Sequence, residues 1–303
     1  MHLYLPIAGN SVNVFLMIGL GGLVGFLSGL FGVGGGFLMT PLLMMYGIPA
    51  TVAAASDSNQ IVAASASGCY THFRAKTIDV RMGVLMLVGG VVGGTLGVQL
   101  IKVLRRLGEA DFAITVVYVL MLGGIGSYMF FESLTALRGR RSATISRPSI
   151  YRKVVEVLPF KVFFPRSKVT ISALMPLLLG TLVGTLAAIM GVGGGFIMVP
   201  IMIYLLRMPM HVVVGTSLFQ ILFTCINVTV LQSYLNHTVD FVLALLLLLG
   251  SVVGAQIGIR VGKRLKADQL KILMAVLVLG VMVKMLLGLL LRPEFLLAYK
   301  GGH

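Results

Sequence analysis

Gly32-Val33-Gly34-Gly35-Gly36-Phe37-Leu38-Met39-Thr40-Pro41 interrupts an apolar run, and Gly191-Val192-Gly193-Gly194-Gly195-Phe196-Ile197-Met198-Val199-Pro200 interrupts another at the matching place of a second copy. The likeness extends outward at a nearly constant offset. Gln60-Ile61 returns as Gln220-Ile221, Asp79 as Asp240, and Gly89, Gly93 and Gly97 as Gly250, Gly254 and Gly258. The chain therefore reads as a duplicated unit: an N-terminal repeat over residues 1–131, a basic linker over 132–171 and a C-terminal repeat over 172–303.

The composition places these repeats in a membrane. Of 303 residues, 58% are hydrophobic and 11% charged, with 38 glycines, against about 25% charged in soluble domains. Apolar runs at 13–31, 37–47, 51–70, 82–103 and 112–131 recur as 172–190, 196–207, 212–234, 241–261 and 269–291. The longer ones approach the roughly 20 residues that span a bilayer as a helix. Leu, Val, Ala and Gly on every face exclude the alternation of a transmembrane barrel. The fold class is thus an all-α polytopic membrane protein, each half holding a glycine-broken or re-entrant helix pair and three transmembrane helices.

The net charge of +15 would suggest nucleic acid in a soluble domain, but its placement argues against that partner. Arg138, Arg140, Arg141, Arg147, Arg152, Lys153, Lys161, Arg166 and Lys168 crowd the linker, which marks it as cytoplasmic. Loops 71–81 and 262–268 then fall inside and the uncharged loop 235–240 outside. Segment 102–111, with Lys102, Arg105 and Arg106, falls outside against the rule. This pattern predicts inverted repeats with both termini outside. The N-terminus lacks a basic region and cleavage site, so the first run is expected to stay in the mature protein.

A helix broken within a membrane lines a cavity, because its freed backbone groups must be satisfied there. The short helix after each break offers N–H groups and a positive dipole end to an anion. Paired breaks in two halves point to a transporter's central site. The substrate-binding candidates are Gly34, Gly35, Gly36 and Phe37, with Gly193, Gly194, Gly195 and Phe196. On the following helices Ser56, Asn59 and Gln60, with Thr216, Ser217 and Gln220, form neutral polar stripes suited to an oxyanion. The other glycines, such as Gly89 and Gly250, read as close helix contacts.

Asp57 is the acid set well within an apolar run, where an ionised carboxylate costs about 2.5–3.5 kcal/mol. It is the candidate coupling residue, with a co-transported proton or sodium ion as its partner. Its counterpart is the neutral Ser217. Arg260 reads as snorkelling to the interface and Lys284 as either snorkelling or facing the cavity. Cys69 and Cys225 read as buried apolar residues. His72, His211 and His237 lack metal-ligand spacing, and no nucleophile stands at motif spacing from a base. No metal, cofactor or catalytic residue is expected, and no pattern sets an oligomeric state.

The two glycine-proline stretches, with Ala55-Ser56 to Ile61 and Gly215-Thr216-Ser217 to Ile221 on the helices that follow, resemble the sulfite exporter TauE/SafE family, also called the toluene sulfonate uptake permease family. The resemblance covers both halves and leaves out the linker. It implies transport of sulfur-containing oxyanions or other small organic anions, such as sulfite, sulfonates and sulfoacetate, across a prokaryotic plasma membrane. Asp57-Ser58-Asn59 departs from the more neutral Thr216-Ser217-Leu218, which argues against equal binding roles at these positions. The expected function is secondary transport by alternating access. A passive anion channel and a membrane anchor acting through the basic linker, on anionic lipid or a cytoplasmic partner, are the readings from other classes.

Overall fold

The computed structural model describes residues 2–31, 36–137, 160–167, 169–206, 208–262 and 267–291. Gly34 and Gly35, most of the basic linker, and the charged loop residues Lys263, Arg264 and Lys266 lie outside them.

The first repeat opens with a hairpin, β1 (His2–Leu5) and β2 (Asn10–Asn13), and continues as α1 (Val14–Phe31), α2 (Gly36–Met45), α3 (Ala50–Arg74), α4 (Val80–Leu107) and α5 (Ala110–Leu137). The second runs β3 (Lys161–Phe164), β4 (Val169–Ser172), α6 (Leu174–Met190), α7 (Gly195–Pro200), α8 (Met210–Leu231), α9 (Phe241–Gly262) and α10 (Ala267–Leu291). Alpha-helix gives way to a π turn after Pro200, over Ile201–Leu205, and after α8, over Gln232–Asn236.

The two hairpins are equivalent. Leu5 pairs with Asn10 as Phe164 pairs with Val169, and Pro6 and Pro165 sit at the same point of each turn. The sequence reading placed no strands here, and the second hairpin lies inside the segment read as linker.

The long helices expose apolar stripes and bury glycine. On α4, Val84, Val88, Val92, Leu96 and Leu100 face outward while Gly89, Gly93 and Gly97 face inward. Exposed apolar surface on this scale suits lipid rather than water. Val80–Leu107, Ala110–Tyr128, Val212–Asn236 and Phe241–Gly258 are long and apolar enough to cross a membrane.

The repeats interlock. Helix α1 packs chiefly on α9, and α6 on α4, its counterpart pairing. A Cβ at Gly89 or Gly93 would strike the carbonyl of Leu177 or Thr181, and one at Gly254 or Gly258 that of Gly22 or Phe26. These helices thus meet backbone to backbone, as small residues allow in membranes. The register also gives direction. Gly21 faces Leu247 and Gly25 faces Ser251, and Gly89 faces Leu177 while Gly97 faces Thr185, so both pairs run parallel. Gly83, Gly90 and Gly94 of α4 face Phe219, Thr224 and Val228, so α4 and α8 are also parallel. By contrast Gly68 faces Leu218 while Ile61 packs on Ile221 and Cys225, so α3 and α8 are antiparallel. Gly123 facing Met282 and Gly126 facing Val278 make α5 and α10 antiparallel too.

Candidate functional site

The second glycine cluster shows why consecutive glycines stand there. Gly191 ends α6 at φ 73°, and Gly193 and Gly194 follow at 69° and 78°. Side chains strain the backbone at such positive φ, and glycine does not. The space is also closed: a Cβ at Gly191 would strike the backbone of Ala54, and one at Gly194 would lie 2.5 Å from Val183 Cγ1. In the first repeat, Gly36 begins α2 against Val192, whose Cα would lie 3.1 Å from an added Cβ. The starts of α2 and α7 meet there, with the Phe37 and Phe196 rings stacked at 4.8 Å and 19°. Gly193, Gly194, Gly195 and Phe196 are all buried beside Gly36 and Phe37 at this meeting point.

The polar stripes divide into two groups. Ser56 and Thr216 serve the frame: Thr216 Oγ1 accepts the Asp79 N–H at 3.0 Å, and Ser56 Oγ accepts the Asp240 N–H at 3.2 Å. Each aspartate in turn caps a helix, Asp79 accepting from Met82 N–H at 3.3 Å and Asp240 from Leu243 N–H at 3.1 Å. Each also holds the hairpin of the other repeat. Asp79 Oδ2 accepts from Ser167 Oγ at 2.6 Å and Ser167 N at 3.0 Å, and Asp240 Oδ2 from Ile7 N at 3.4 Å. The sequence reading matched the two aspartates without assigning them this role, because their partners lie far away in the chain.

The second group is buried and only partly satisfied. Among the described residues, Gln60 Oε1, Gln220 Oε1, Ser65 Oγ and Asp57 Oδ1 have no hydrogen-bond partner. Gln220 Nε2 donates to Thr224 Oγ1 at 3.2 Å. A threonine hydroxyl can donate or accept, so the free end of that amide is a donor or an acceptor as an occupant requires. Buried polar atoms are ordinarily paired, and orphans mark functional places or unseen occupants. Ser217 donates to the Val214 carbonyl at 3.1 Å, and Asn59 is half-buried.

Asp57 is fully buried, and its Oδ2 accepts from Thr40 Oγ1 at 3.0 Å. Ser58 Oγ donates to the Ala54 carbonyl at 3.1 Å and lies 3.3 Å from the Gly191 carbonyl. Tyr118 of α5 donates to the Met190 carbonyl and lies within electrostatic reach of Asp57 and Thr40. Neither Thr40 nor Tyr118 was singled out from sequence. Each is one polar group in an apolar run, without a periodic signal.

A cavity of about 720 Å³ opens beside this core. Pro41, next to Thr40, is in its wall, with Ala50, Glu109, Asp111, Thr115 and Lys284. Lys284 is exposed, and Asp111 accepts the Thr51 N–H at 3.0 Å. Arg260 is also exposed. Among the described residues no three His, Cys, Asp or Glu side chains gather as a metal cluster.

Apolar outer faces, backbone-to-backbone helix contacts and helices long enough to cross a bilayer define a multi-pass helical membrane protein. The sulfite exporter TauE/SafE family model matches residues 17–285, and the chain belongs to that family of membrane transporters. It is 26% identical to the probable membrane transporter protein YjnA of Bacillus subtilis (strain 168), over 89% of this chain and 97% of that protein. It is 28% identical to a probable membrane transporter protein of Xylella fastidiosa (strain Temecula1 / ATCC 700964), over 85% of this chain and 88% of that one. No solved structure matches the chain at a significant level.

Proposed function

We propose that this transporter carries a small sulfur-containing oxyanion or organic anion, such as sulfite or a sulfonate, by alternating access at the meeting point of the two helix breaks. The observation that carries the reading is the union of the α2 and α7 N-termini, with Phe37 stacked on Phe196, beside equivalent helices whose Gln60 and Gln220 are buried with Oε1 unpaired among the described residues. Helix N-termini favour anions, and neutral donors suit an oxyanion. Gly36, Gly193, Gly194 and Gly195 let the backbone approach the substrate, the repeat assigns Gly34 and Gly35 to the same role, and Ser56, Asn59, Thr216 and Ser217 line or brace the helices that follow.

Helix direction supports inverted repeats. Helix α1 parallels α9, whereas α6 parallels α4 and α8. A short turn after Asn236 reverses the chain between α8 and α9, so α1 and α6 run oppositely, as do α3 with α8 and α5 with α10. The positive charge of the linker supports a cytoplasmic position for it, with hairpin β1–β2 and both termini outside. Rocking of one repeat against the other then exposes the centre to each side in turn.

The test is thermal stabilisation of the purified protein by sulfite, thiosulfate, sulfoacetate, sulfate and short carboxylates. One sulfur oxyanion is expected to raise the melting temperature, since a ligand of the folded state stabilises it by mass action. Gln60→Leu, Gln220→Leu and Gly194→Leu should each abolish that shift. No shift from any of these anions with a folded protein refutes the substrate assignment.

A further inference from the structure

We propose that Asp57, Thr40 and Tyr118 of the first repeat, with the Met190 and Gly191 carbonyls that end α6 of the second, form a sodium-binding site separate from the anion-binding helix N-termini. Its use in coupling rests on the transport reading above, but its existence does not.

The place is negative on three counts. Asp57 is fully buried, and among the described residues its Oδ1 is unpaired and no cationic side chain pairs with it. Helix α6 ends there with its partial negative pole, its last carbonyls held by Tyr118 and by Ser58, the neighbour of Asp57. Thr40 and Tyr118 spend their hydroxyl protons on Asp57 Oδ2 and the Met190 carbonyl. Their oxygens are left as acceptors, and each carbonyl retains a second lone pair.

The donor set selects the ion. Carboxylate, hydroxyl and carbonyl oxygens are hard ligands, without the imidazole or thiolate that favours transition metals. One carboxylate balances one positive charge, whereas a calcium site uses six to eight oxygens, commonly from several carboxylates. A proton on Asp57 would need a single acceptor and would leave the gathering of Tyr118 and two α6 carbonyls without a purpose. Broken-helix carbonyl ends hold coupling cations in transporters by this same logic.

The duplication supplies an independent argument. The counterpart of Asp57 is Ser217 and that of Thr40 is Val199, while the match of Gly123 with Gly280 sets Ala275 opposite Tyr118. All three side-chain ligands are lost together in the second copy, which is how one site, rather than three unrelated polar residues, would differ between repeats. The site also joins the repeats, so an ion in it ties α2, α3 and α5 to the end of α6 and couples occupancy to their relative position.

The experiment follows thermal unfolding while sodium chloride replaces choline chloride at constant ionic strength, with potassium chloride in parallel. Sodium should raise the melting temperature saturably, and potassium should do so far less. D57N should lose the sodium response and melt higher than the parent in choline, because the buried charge is gone. T40V and Y118F should weaken the apparent sodium affinity by about tenfold or more; they keep the test open if D57N does not fold. S217A, in the other repeat, should respond as the parent does. Equal sodium and potassium shifts overturn the site, as does a sodium shift that survives in D57N and Y118F. So does stabilisation that follows pH but not sodium. A sodium shift without any anion shift would leave this site standing and remove the substrate assignment, and the reverse would do the opposite.

Discussion

Replacing Asp79 by alanine should cost far more than the equivalent change at Asp240, although the two occupy matching places. Asp79 is buried and accepts three hydrogen bonds, from Met82 N, Ser167 N and Ser167 Oγ. Asp240 is equally buried but among the described residues accepts two, from Leu243 N and, at 3.4 Å, from Ile7 N. Loss of a helix N-cap costs about 1 kcal/mol, and each good hydrogen bond to a charged group about 1.5–3 kcal/mol. The expected losses are about 3–5 kcal/mol for Asp79→Ala and about 1–2 kcal/mol for Asp240→Ala. Ser167→Ala should cost about 1–2 kcal/mol, since it gives the second hairpin the alanine the first already has at Ala8. In the double variant Asp79→Ala/Ser167→Ala the losses should fall short of additive, because the two residues share bonds. The chain has no tryptophan, so unfolding in mixed micelles by added sodium dodecyl sulfate is best followed by circular dichroism. Losses at Asp79 and Asp240 that agree within about 0.5 kcal/mol, or a neutral Ser167→Ala, would refute the account of the hairpins as caps on the opposite repeat.

Other consequences follow from the same geometry. Gly93→Ala and Gly254→Ala should each cost at least the ~1–3 kcal/mol of an overpacked core, because the added Cβ meets the carbonyl of Thr181 or Gly22; Gly280→Ala, with nothing near it, should be neutral or stabilising in the same titration. Gln220→Leu should leave stability unchanged or raised, since it removes a buried unpaired oxygen, while abolishing anion binding in the thermal assay. Replacing residues 138–159 by an uncharged linker of equal length should preserve anion binding, whereas removing 160–172 should abolish folding as judged by size-exclusion profile; loss of anion binding in the first variant would favour an anchoring role for the linker. A single cysteine at Gly9 should react with an impermeant maleimide from outside intact cells and one at Lys161 only after lysis; reaction of both from one side would refute the inverted orientation.

The helices were legible in sequence because apolar length and glycine breaks are local signals. The run read at 112–131 is α5, longer at both ends, and the run at 196–207 became α7 with a π turn after Pro200. The hairpins were not legible, since four-residue strands around Pro6 and Pro165 carry little periodicity, although the repeat offset extended to them. Within the site, Gln60 and Gln220 were visible as matched polar residues, and both are buried with Oε1 unpaired among the described residues. Ser56 and Thr216 carried the same signal, yet their bonds go to Asp240 and Asp79. Polarity in an apolar run marks a residue that needs a partner; which partner it finds depends on packing between distant segments. Tyr118 and the Met190 carbonyl illustrate this most plainly, for a backbone group has no signature in sequence.

The most direct test of the central claim is uptake of radiolabelled sulfite into proteoliposomes containing the purified protein, against parallel vesicles with Gln60→Leu and Gln220→Leu. The account predicts saturable uptake, competed by unlabelled sulfur oxyanions, in the parent and its loss in both variants at unchanged stability. Flux that rises linearly with concentration, or that survives both substitutions, would contradict a central anion site at the two helix breaks.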